Sequence, residues 1–221
     1  GDFRYQHVWV IDVASKHGAR ITEATNYTVQ GAPSWSPDGK RLVFAGATTP
    51  MLRDNRRDIY LADTASRQVD KISTNWGSDT QPRWSPDGST IAWATEPNTT
   101  APLPDGTASS VILQQRLVLY DLASKTIKDT GEKFDIDAGN PIWTNEGTRV
   151  MFMAGKRAYS EAFAYDVKSG ADTQLTERRT INGASVSKDG RTIVITMDAP
   201  DAATGIYVTD PSFASPRRLT N

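Results

Sequence analysis

A short turn motif recurs four times along the chain, and it restricts the possible folds more than any other feature. It reads Trp-Ser-Pro-Asp-Gly in two copies and keeps the glycine in two others. Each copy lies between two apolar stretches. Pro presets the first turn position, Asp suits the second, and Gly adopts the left-handed conformation that closes a tight turn. The pattern therefore predicts four β-hairpins, over residues 33–44, 82–93, 141–152 and 184–195.

Two further elements follow each hairpin in a fixed order. One is a short apolar strand that ends in Asp, and the other ends in Leu-Thr or a close variant. Apolar positions alternate along these segments, as is typical of strands. Each unit therefore has four strands, which we name A (into the turn), B (out of it), C (ending in Asp) and D (ending in Leu-Thr). No segment carries a sustained helical period, so we predict little helix.

A repeat of four-stranded sheets predicts a β-propeller. One such sheet cannot bury both of its faces, whereas sheets stacked radially bury one another. We predict an all-β, incomplete propeller of about four and a half blades in a single domain. The half-blade has only strands C and D, so we expect the chain to be a fragment. The predicted boundaries are a half-blade over 1–25 and blades over 26–76, 77–133, 134–177 and 178–221.

Two sets of repeated residues have predicted structural roles. Three tryptophans occupy one position in strand A and are expected to pack between blades: Trp35, Trp84 and Trp143. The aspartates that end strand C recur too regularly to form one site, and we expect them to cap turns by accepting backbone hydrogen bonds. They are Asp12, Asp63, Asp121, Asp166 and Asp210.

Composition excludes several kinds of site. Cysteine is absent, which removes disulfides, zinc-thiolate centres and cysteine nucleophiles. The 25 basic and 26 acidic residues give no electrostatic reason to expect a nucleic-acid partner, and no apolar run is long enough for a membrane span. Gly-x-Ser-x-Gly does not occur. The two histidines, His7 and His17, are expected to be exposed strand-end and loop residues. We predict no catalytic residue, no cofactor and no metal site.

The repeat resembles that of the prolyl oligopeptidase family of serine peptidases. The resemblance is carried by Trp35–Phe44, Asp58–Asp63 and the Leu-Thr ending, and it covers nearly the whole chain. Segments 54–60 and 77–88 resemble the acylaminoacyl-peptidase branch, and the paired glutamates of the dipeptidyl branch are absent. TolB-like propellers and oligogalacturonate lyases have similar repeats. The lyases use several histidine ligands for a metal, and two histidines are too few.

The resemblance implies a gating role. In this family the propeller caps a separate α/β-hydrolase domain and admits only short peptides. That domain is missing from this sequence, so the chain alone is not expected to be an enzyme, whereas the parent protein is expected to be a serine peptidase. The implied partners are the missing hydrolase domain of the same chain and peptide substrates. The alternative is a TolB-like propeller that binds proteins. The compartment stays open between periplasm and cytoplasm, with the periplasm favoured.

Loop length gives the one candidate site. The B–C connections over 47–57 and 96–115 are the longest, and long loops are uncommon without a function. The first contains the densest basic patch, made of Arg53, Arg56 and Arg57. We predict that these arginines face the hydrolase domain or the peptide path. Ordinary solvated insertions are the alternative. The open ends of the propeller are predicted to promote self-association, because unpaired strand edges pair readily with other chains.

Overall fold

The computed structural model describes residues 5–23, 27–47, 56–74, 77–96, 98–102, 108–112, 115–130, 138–199 and 202–220. Strands dominate these residues, and the helical content within them is a single 3-10 turn over Asn145–Gly147. Accordingly, no helix in the described part of the chain has the length and apolar character needed to cross a membrane. The all-β prediction is confirmed.

The strands form four antiparallel sheets of four strands each, together with two separate hairpins. The half-blade holds β1 (Trp9–Ile11) and β2 (Gly18–Arg20). Blade 1 holds β3 (Thr28–Trp35), β4 (Arg41–Ala47), β5 (Arg57–Asp63) and β6 (Val69–Lys71). Blade 2 holds β7 (Ser78–Trp84), β8 (Thr90–Glu96), β11 (Arg116–Asp121) and β12 (Thr126–Asp129). Its B–C connection carries the hairpin of β9 (Asn98–Pro102) and β10 (Ala108–Ile112).

The last two blades repeat the same order. Blade 3 holds β13 (Gly139–Thr144), β14 (Arg149–Lys156), β15 (Tyr159–Asp166) and β16 (Asp172–Gln174). Blade 4 holds β17 (Thr180–Val186), β18 (Ile193–Ala199), β19 (Ala202–Thr209) and β20 (Arg217–Arg218). In every blade strand B pairs with A and C, and strand C also pairs with D. This is the meander that the repeat predicts.

The A–B turns are fixed by a serine and an aspartate. In blade 1 the Ser36 hydroxyl donates to Asp38 Oδ1 at 2.5 Å and accepts from the Arg41 amide at 2.9 Å, while Gly39 has a φ of 70°. Blades 2 and 4 repeat this geometry with Ser85 and Ser187. Blade 3 lacks this serine–aspartate pair and forms the 3-10 turn instead.

The aspartates that end strand C cap the C–D turns, as predicted. Asp63 Oδ1 accepts from both the amide and the hydroxyl of Ser66, at 2.7 and 2.9 Å. These hydrogen bonds favour the carboxylate and lower the pKa of Asp63. The same bonds recur at all five positions, with serine partners Ser15, Ser66, Ser124, Ser169 and Ser212.

The Leu-Thr ending also has a structural role. The hydroxyl of Thr176 accepts a hydrogen bond from the Ala162 amide of the neighbouring strand C at 2.9 Å. A hydroxyl on the end of strand D therefore satisfies a backbone donor that the short strand D leaves unpaired. Equivalent bonds are made by Thr22, Ser73 and Thr220.

Apolar side chains fill the joints between successive blades. Between blades 1 and 2, Val43 and Ile59 pack in one cluster with Trp84 and Trp93. Trp84 and Trp143 are each 7% exposed, and their indole N–H groups donate to the carbonyls of the preceding strand A. The acceptors are Ser34 O at 3.2 Å and Arg83 O at 3.1 Å.

Trp35 does not pack in this way, so the prediction for this residue is wrong. Its side chain is 48% exposed. The blade before it is the half-blade, which has no strand A within the described residues. The tryptophan therefore has the same sequence context as its two equivalents but lacks the surface against which they pack.

Candidate functional site

A cleft that is open to solvent lies on the inner side of the blades, and both polar and apolar residues line it. Strand β3 contacts β7, β7 contacts β13, and β13 contacts β17, so the four A strands lie next to one another around the centre of the propeller. The cleft lies between blades 1, 2 and 3 and has a volume of about 600 Å³. We call it the axial cleft. Its size lies within the ~300–1,000 Å³ typical of small-ligand sites.

Each A strand is irregular in its pairing with strand B, and in blades 1 to 3 the irregular part borders the cleft. The pairing with strand B shifts between Gln30 and Ser34 in blade 1, and corresponding shifts occur in the other three blades. A bulge of this kind bends a strand and redirects a side chain. The shifts of blades 1 to 3 include a proline, which is tolerated because it removes a donor from an inner edge strand. These prolines are Pro33, Pro82 and Pro141.

Two of the bulges hold strained backbone. Gln81 and Asn140 have φ values of 56° and 51°, a region that side chains other than glycine rarely adopt. The Asn140 amide donates to Gln81 Oε1 at 2.8 Å, which links blade 3 to blade 2 at the cleft wall. Strain of this kind persists only where surrounding contacts hold it, and it is concentrated at functional sites.

Charged groups border the same cleft. Arg57 begins β5, and its Nε donates to Gln30 Oε1 at 2.6 Å. Arg83 lies on β7 and its Nη1 donates to Pro82 O at 3.2 Å. With Glu96, the lining therefore offers two guanidinium groups and one carboxylate, with carboxamides around them. The polar side chains lining the cleft are Gln30, Arg57, Ser78, Thr80, Gln81, Arg83, Glu96, Gln115 and Asn140.

The structure places one of the three predicted arginines at this cleft. Arg57 lines it, while Arg56 is half-buried and its charge acts on the phenol of Tyr60. Arg53 lies outside the described residues, as does most of the 47–57 loop. The second long loop is not irregular, because it contains the β9–β10 hairpin, and Gln115 at its end lines the cleft.

The lining residues on the A strands were missed by sequence reasoning. A signal was available, because Gln81 and Asn140 each precede a proline two residues before the strand A tryptophan. In blades 1 to 3 that position falls in the bulge of strand A. Recognising it requires knowing that the pairing shifts there, and the alternation of apolar residues does not reveal such a shift.

Buried charges elsewhere have structural partners. Asp58 accepts from Ser73 Oγ and pairs with Lys71 Nζ, both at 3.2 Å. Burial, and next the charge of Asp58, raise the pKa of Tyr60 to about 12. Glu161 accepts from the hydroxyl of Thr176 and from the Arg178 amide. In the described parts of the chain, no three His, Asp or Glu side chains cluster in a way that could hold a metal.

His7 differs from expectation. It is half-buried rather than exposed, and its Nε2 lies 2.7 Å from Arg20 Nη2 while its Nδ1 lies 3.3 Å from the Thr22 hydroxyl. Burial, and next the charge of Arg20, lower the pKa of His7. Through these contacts the His7 ring connects the residues before β1 with the end of β2. His17 is exposed, as expected.

Comparison with known proteins agrees with the repeat. Residues 3–103 match the family described as the TolB beta propeller domain. Dipeptidyl-peptidase 5 of Porphyromonas gingivalis is 29% identical over 148 residues, which is 65% of this chain and 20% of that protein. The chain therefore spans about a fifth of that relative.

Solved structures share the fold. An oligogalacturonate lyase in complex with manganese superposes with a TM-score of 0.74 at 12% identity, covering 97% of this chain and 59% of the other. The acylaminoacyl peptidase of Pyrococcus horikoshii gives 0.64 at 14% identity, covering 97% and 35%. Residues 3–103 are thus similar to TolB beta propeller domains, and the chain shares its propeller fold with these two enzymes. The likenesses include both a dipeptidyl and an acylaminoacyl peptidase, so they do not separate these branches.

Proposed function

We propose that this chain is part of the non-catalytic, substrate-gating propeller of a serine peptidase of the prolyl oligopeptidase family. The observation that carries the proposal is the axial cleft, which the A strands of blades 1 to 3 border and which hydrogen-bonding side chains line. The relation to a dipeptidyl peptidase and to the propeller of an acylaminoacyl peptidase supports it. In such an enzyme a separate domain carries out the hydrolysis, and this chain selects which peptides reach that domain.

The geometry suggests how selection works. Blades of paired strands joined by apolar clusters form a stiff wall that a folded protein cannot enter. An extended peptide can exchange hydrogen bonds with the carboxamides and guanidinium groups of the lining. Arg57 and Gln30 are hydrogen-bonded to each other within blade 1. They therefore present a fixed pair of polar groups to a peptide in the cleft.

The test uses the full-length peptidase, with a short and a long peptide that share one cleavage site. Arg57→Ala removes the bond to Gln30 and one positive charge of the lining. We expect the ratio of kcat/KM for the two peptides to change by about three- to tenfold, as for the loss of one hydrogen bond. The matched control is Lys168→Ala, an exposed change in a C–D turn, which should leave the ratio unchanged. Equal ratios in the two variants would contradict the gating role.

The match to the TolB beta propeller domain favours a second candidate, a propeller that binds a protein partner. The same full-length protein separates the two. If it hydrolyses no peptide but retains a protein partner that Arg57→Ala releases, the binding function is supported and the peptidase role is not.

A further inference from the structure

A second pocket lies at the joint between the half-blade and blade 1. Its volume is about 580 Å³, within the ~300–1,000 Å³ typical of small-ligand sites. Ile21 and Val69 form apolar parts of its wall, and Tyr27 and Tyr60 line it together. The described residues that line it are all different from those of the axial cleft. We call it the tyrosine pocket.

The two tyrosines are buried without a hydrogen bond. Tyr27 is 5% exposed and Tyr60 is 8% exposed, and their rings stack with centroids 4.4 Å apart. In the part of the chain that the structure describes, neither hydroxyl has a partner, yet neither hydroxyl oxygen is sealed from solvent. The small exposed part of each side chain therefore includes the hydroxyl. Because buried tyrosines usually pair this group, two unpaired hydroxyls at one pocket indicate an acceptor that binds there.

The propeller repeat does not require this arrangement. Counted back from the aspartate that ends strand C, Tyr60 corresponds to Val118 and Phe163, which are buried and have no hydroxyl. Counted from the turn glycine, Gly46 corresponds to Thr95 of blade 2. A Cβ on Gly46 would lie 2.9 Å from Cε2 of Tyr60, so the glycine provides the space for this ring. The joint is thus shaped around a tyrosine that packing alone does not explain.

Charged side chains surround the two hydroxyls. Among the described lining residues, the cations Arg67 and Lys71 accompany one carboxylate, that of Glu23. Lys71 Nζ already pairs with Asp58 Oδ1 at 3.2 Å. Arg67 is exposed, and within the described residues its guanidinium has no hydrogen bond or ion pair. This guanidinium is therefore available to a ligand.

Both phenols are donors at neutral pH. Burial, then the charge of Asp58 and the nearby phenol of Tyr27, raise the pKa of Tyr60 to about 12, although the charge of Arg56 acts in the opposite direction. Burial also raises the pKa of Tyr27. The hydroxyls thus stay protonated and can donate to an anion.

We propose that the tyrosine pocket binds the carboxylate of a small organic acid that has an apolar body. The two phenol hydroxyls donate to the carboxylate oxygens, and the Arg67 guanidinium supplies the opposite charge. Hydrogen bonds to an ionised acceptor are roughly twice as strong as those between neutral groups. The apolar wall packs against the body of the ligand. Glu23 disfavours a second negative charge, so a monocarboxylate is preferred. This inference does not depend on the proposed function.

The test compares three probes of similar shape that differ in the head group: 4-phenylbutyrate, 4-phenylbutanamide and 4-phenylbutylamine. Binding to the intact protein is followed by NMR of the methyl groups of Ile21 and Val69, which line the pocket. We expect 4-phenylbutyrate to shift these signals at millimolar concentration. We also expect it to bind at least about tenfold more tightly than the amide or the amine.

Variants assign the binding to the proposed groups. Tyr60→Phe and Tyr27→Phe keep the rings and should each weaken the binding of 4-phenylbutyrate by about three- to tenfold, as for one lost hydrogen bond. Arg67→Gln should weaken it by a similar factor. The matched control is Tyr120→Phe, which removes the hydroxyl of a tyrosine that is also buried, at 7% exposure, but lies in blade 2. It should leave binding unchanged.

Three results would overturn the proposal. The first is a lack of methyl shifts with 4-phenylbutyrate at millimolar concentration. The second is binding of the amide or the amine as tight as that of the carboxylate, which would show that the pocket does not select an anion. The third is unchanged binding of 4-phenylbutyrate in both pocket tyrosine variants, or an equal loss in Tyr120→Phe, since the two hydroxyls would then have no specific role.

Discussion

The joints between complete blades and the two ends of the array are built from the same repeated residues but have different surroundings. At the joint of blades 1 and 2, Ile59 is fully buried, while its equivalent in blade 4, Ile206, is 41% exposed. Trp84 is buried by the blade before it, and Trp35 is not. In a repeat array, stability resides in the interfaces between units as much as in the units. Position in the array, rather than residue type, therefore decides what each side chain contributes.

The largest expected difference is between two equivalent isoleucines. Ile59→Ala should lower the free energy of unfolding by about 2–5 kcal/mol, because it leaves a cavity in a closed joint. Ile206→Ala should cost no more than about 1 kcal/mol, because its side chain is already partly in water. Urea unfolding of the two variants measures both values. Similar losses would show that another surface covers blade 4 in solution.

A smaller difference is expected between two tryptophans. Trp143→Phe removes the indole N–H that Arg83 O accepts and should cost about 1–3 kcal/mol. Trp35→Phe has no such bond to lose and should change the free energy of unfolding by at most about 0.5 kcal/mol. Thermal unfolding of both variants gives the comparison. A larger cost at Trp35 would mean that its indole already has a partner.

Two glycines in A–B turns allow the same comparison between the first blade and an interior blade. Gly39→Ala and Gly147→Ala both place a side chain at positive φ, which costs about 1–2 kcal/mol. Gly147→Ala should cost about 1 kcal/mol more, because its Cβ would also press on Pro86 of the preceding blade. Denaturant midpoints of the two variants measure the difference. Equal values would show that the turn of blade 2 moves away without cost.

The aspartate caps of the half-blade and of blade 2 should make equal contributions to the loss of stability in acid. The pKa values of Asp12 and Asp121 are lowered first by hydrogen bonds from Ser15 and Ser124. A carboxylate with a depressed folded pKa stabilises the protein above its unfolded value of 3.8, and this contribution is lost as pH falls through the folded pKa. Asp12→Asn and Asp121→Asn should flatten the stability–pH curve below that value to the same extent. Unfolding measured between neutral and acidic pH checks this, and unequal flattening would contradict a purely local cap.

Much of the fold can be read from the sequence because each signal is local. The turn of blade 1 is specified by Ser36, Asp38 and Gly39 within four residues, and the cap on Asp63 by Ser66. The exposure of Trp35 could not be read in this way, since it depends on which strands stand beside it. The β9–β10 hairpin was missed because a Pro-rich, polar segment lacks apolar alternation.

The axial cleft was only partly predictable. Loop length and charge density singled out Arg57, which lines the cleft. Gln81 and Asn140 were missed because they occupy bulges, where the chain departs from the period on which strand prediction depends. Gln81 and Asn140, which break the strand period, thus both border the cleft.

The hydrogen bond from the Asn140 amide to Gln81 Oε1 has a mechanical consequence. It joins two blades across the cleft wall through a side chain and not through a strand ladder. Separation of blades 2 and 3 at this point breaks a bond worth about 0.5–1.5 kcal/mol, which is comparable with thermal energy. The two bulges can therefore move apart locally at little cost, while the apolar cluster and the Trp143 indole bond keep the rest of this joint closed.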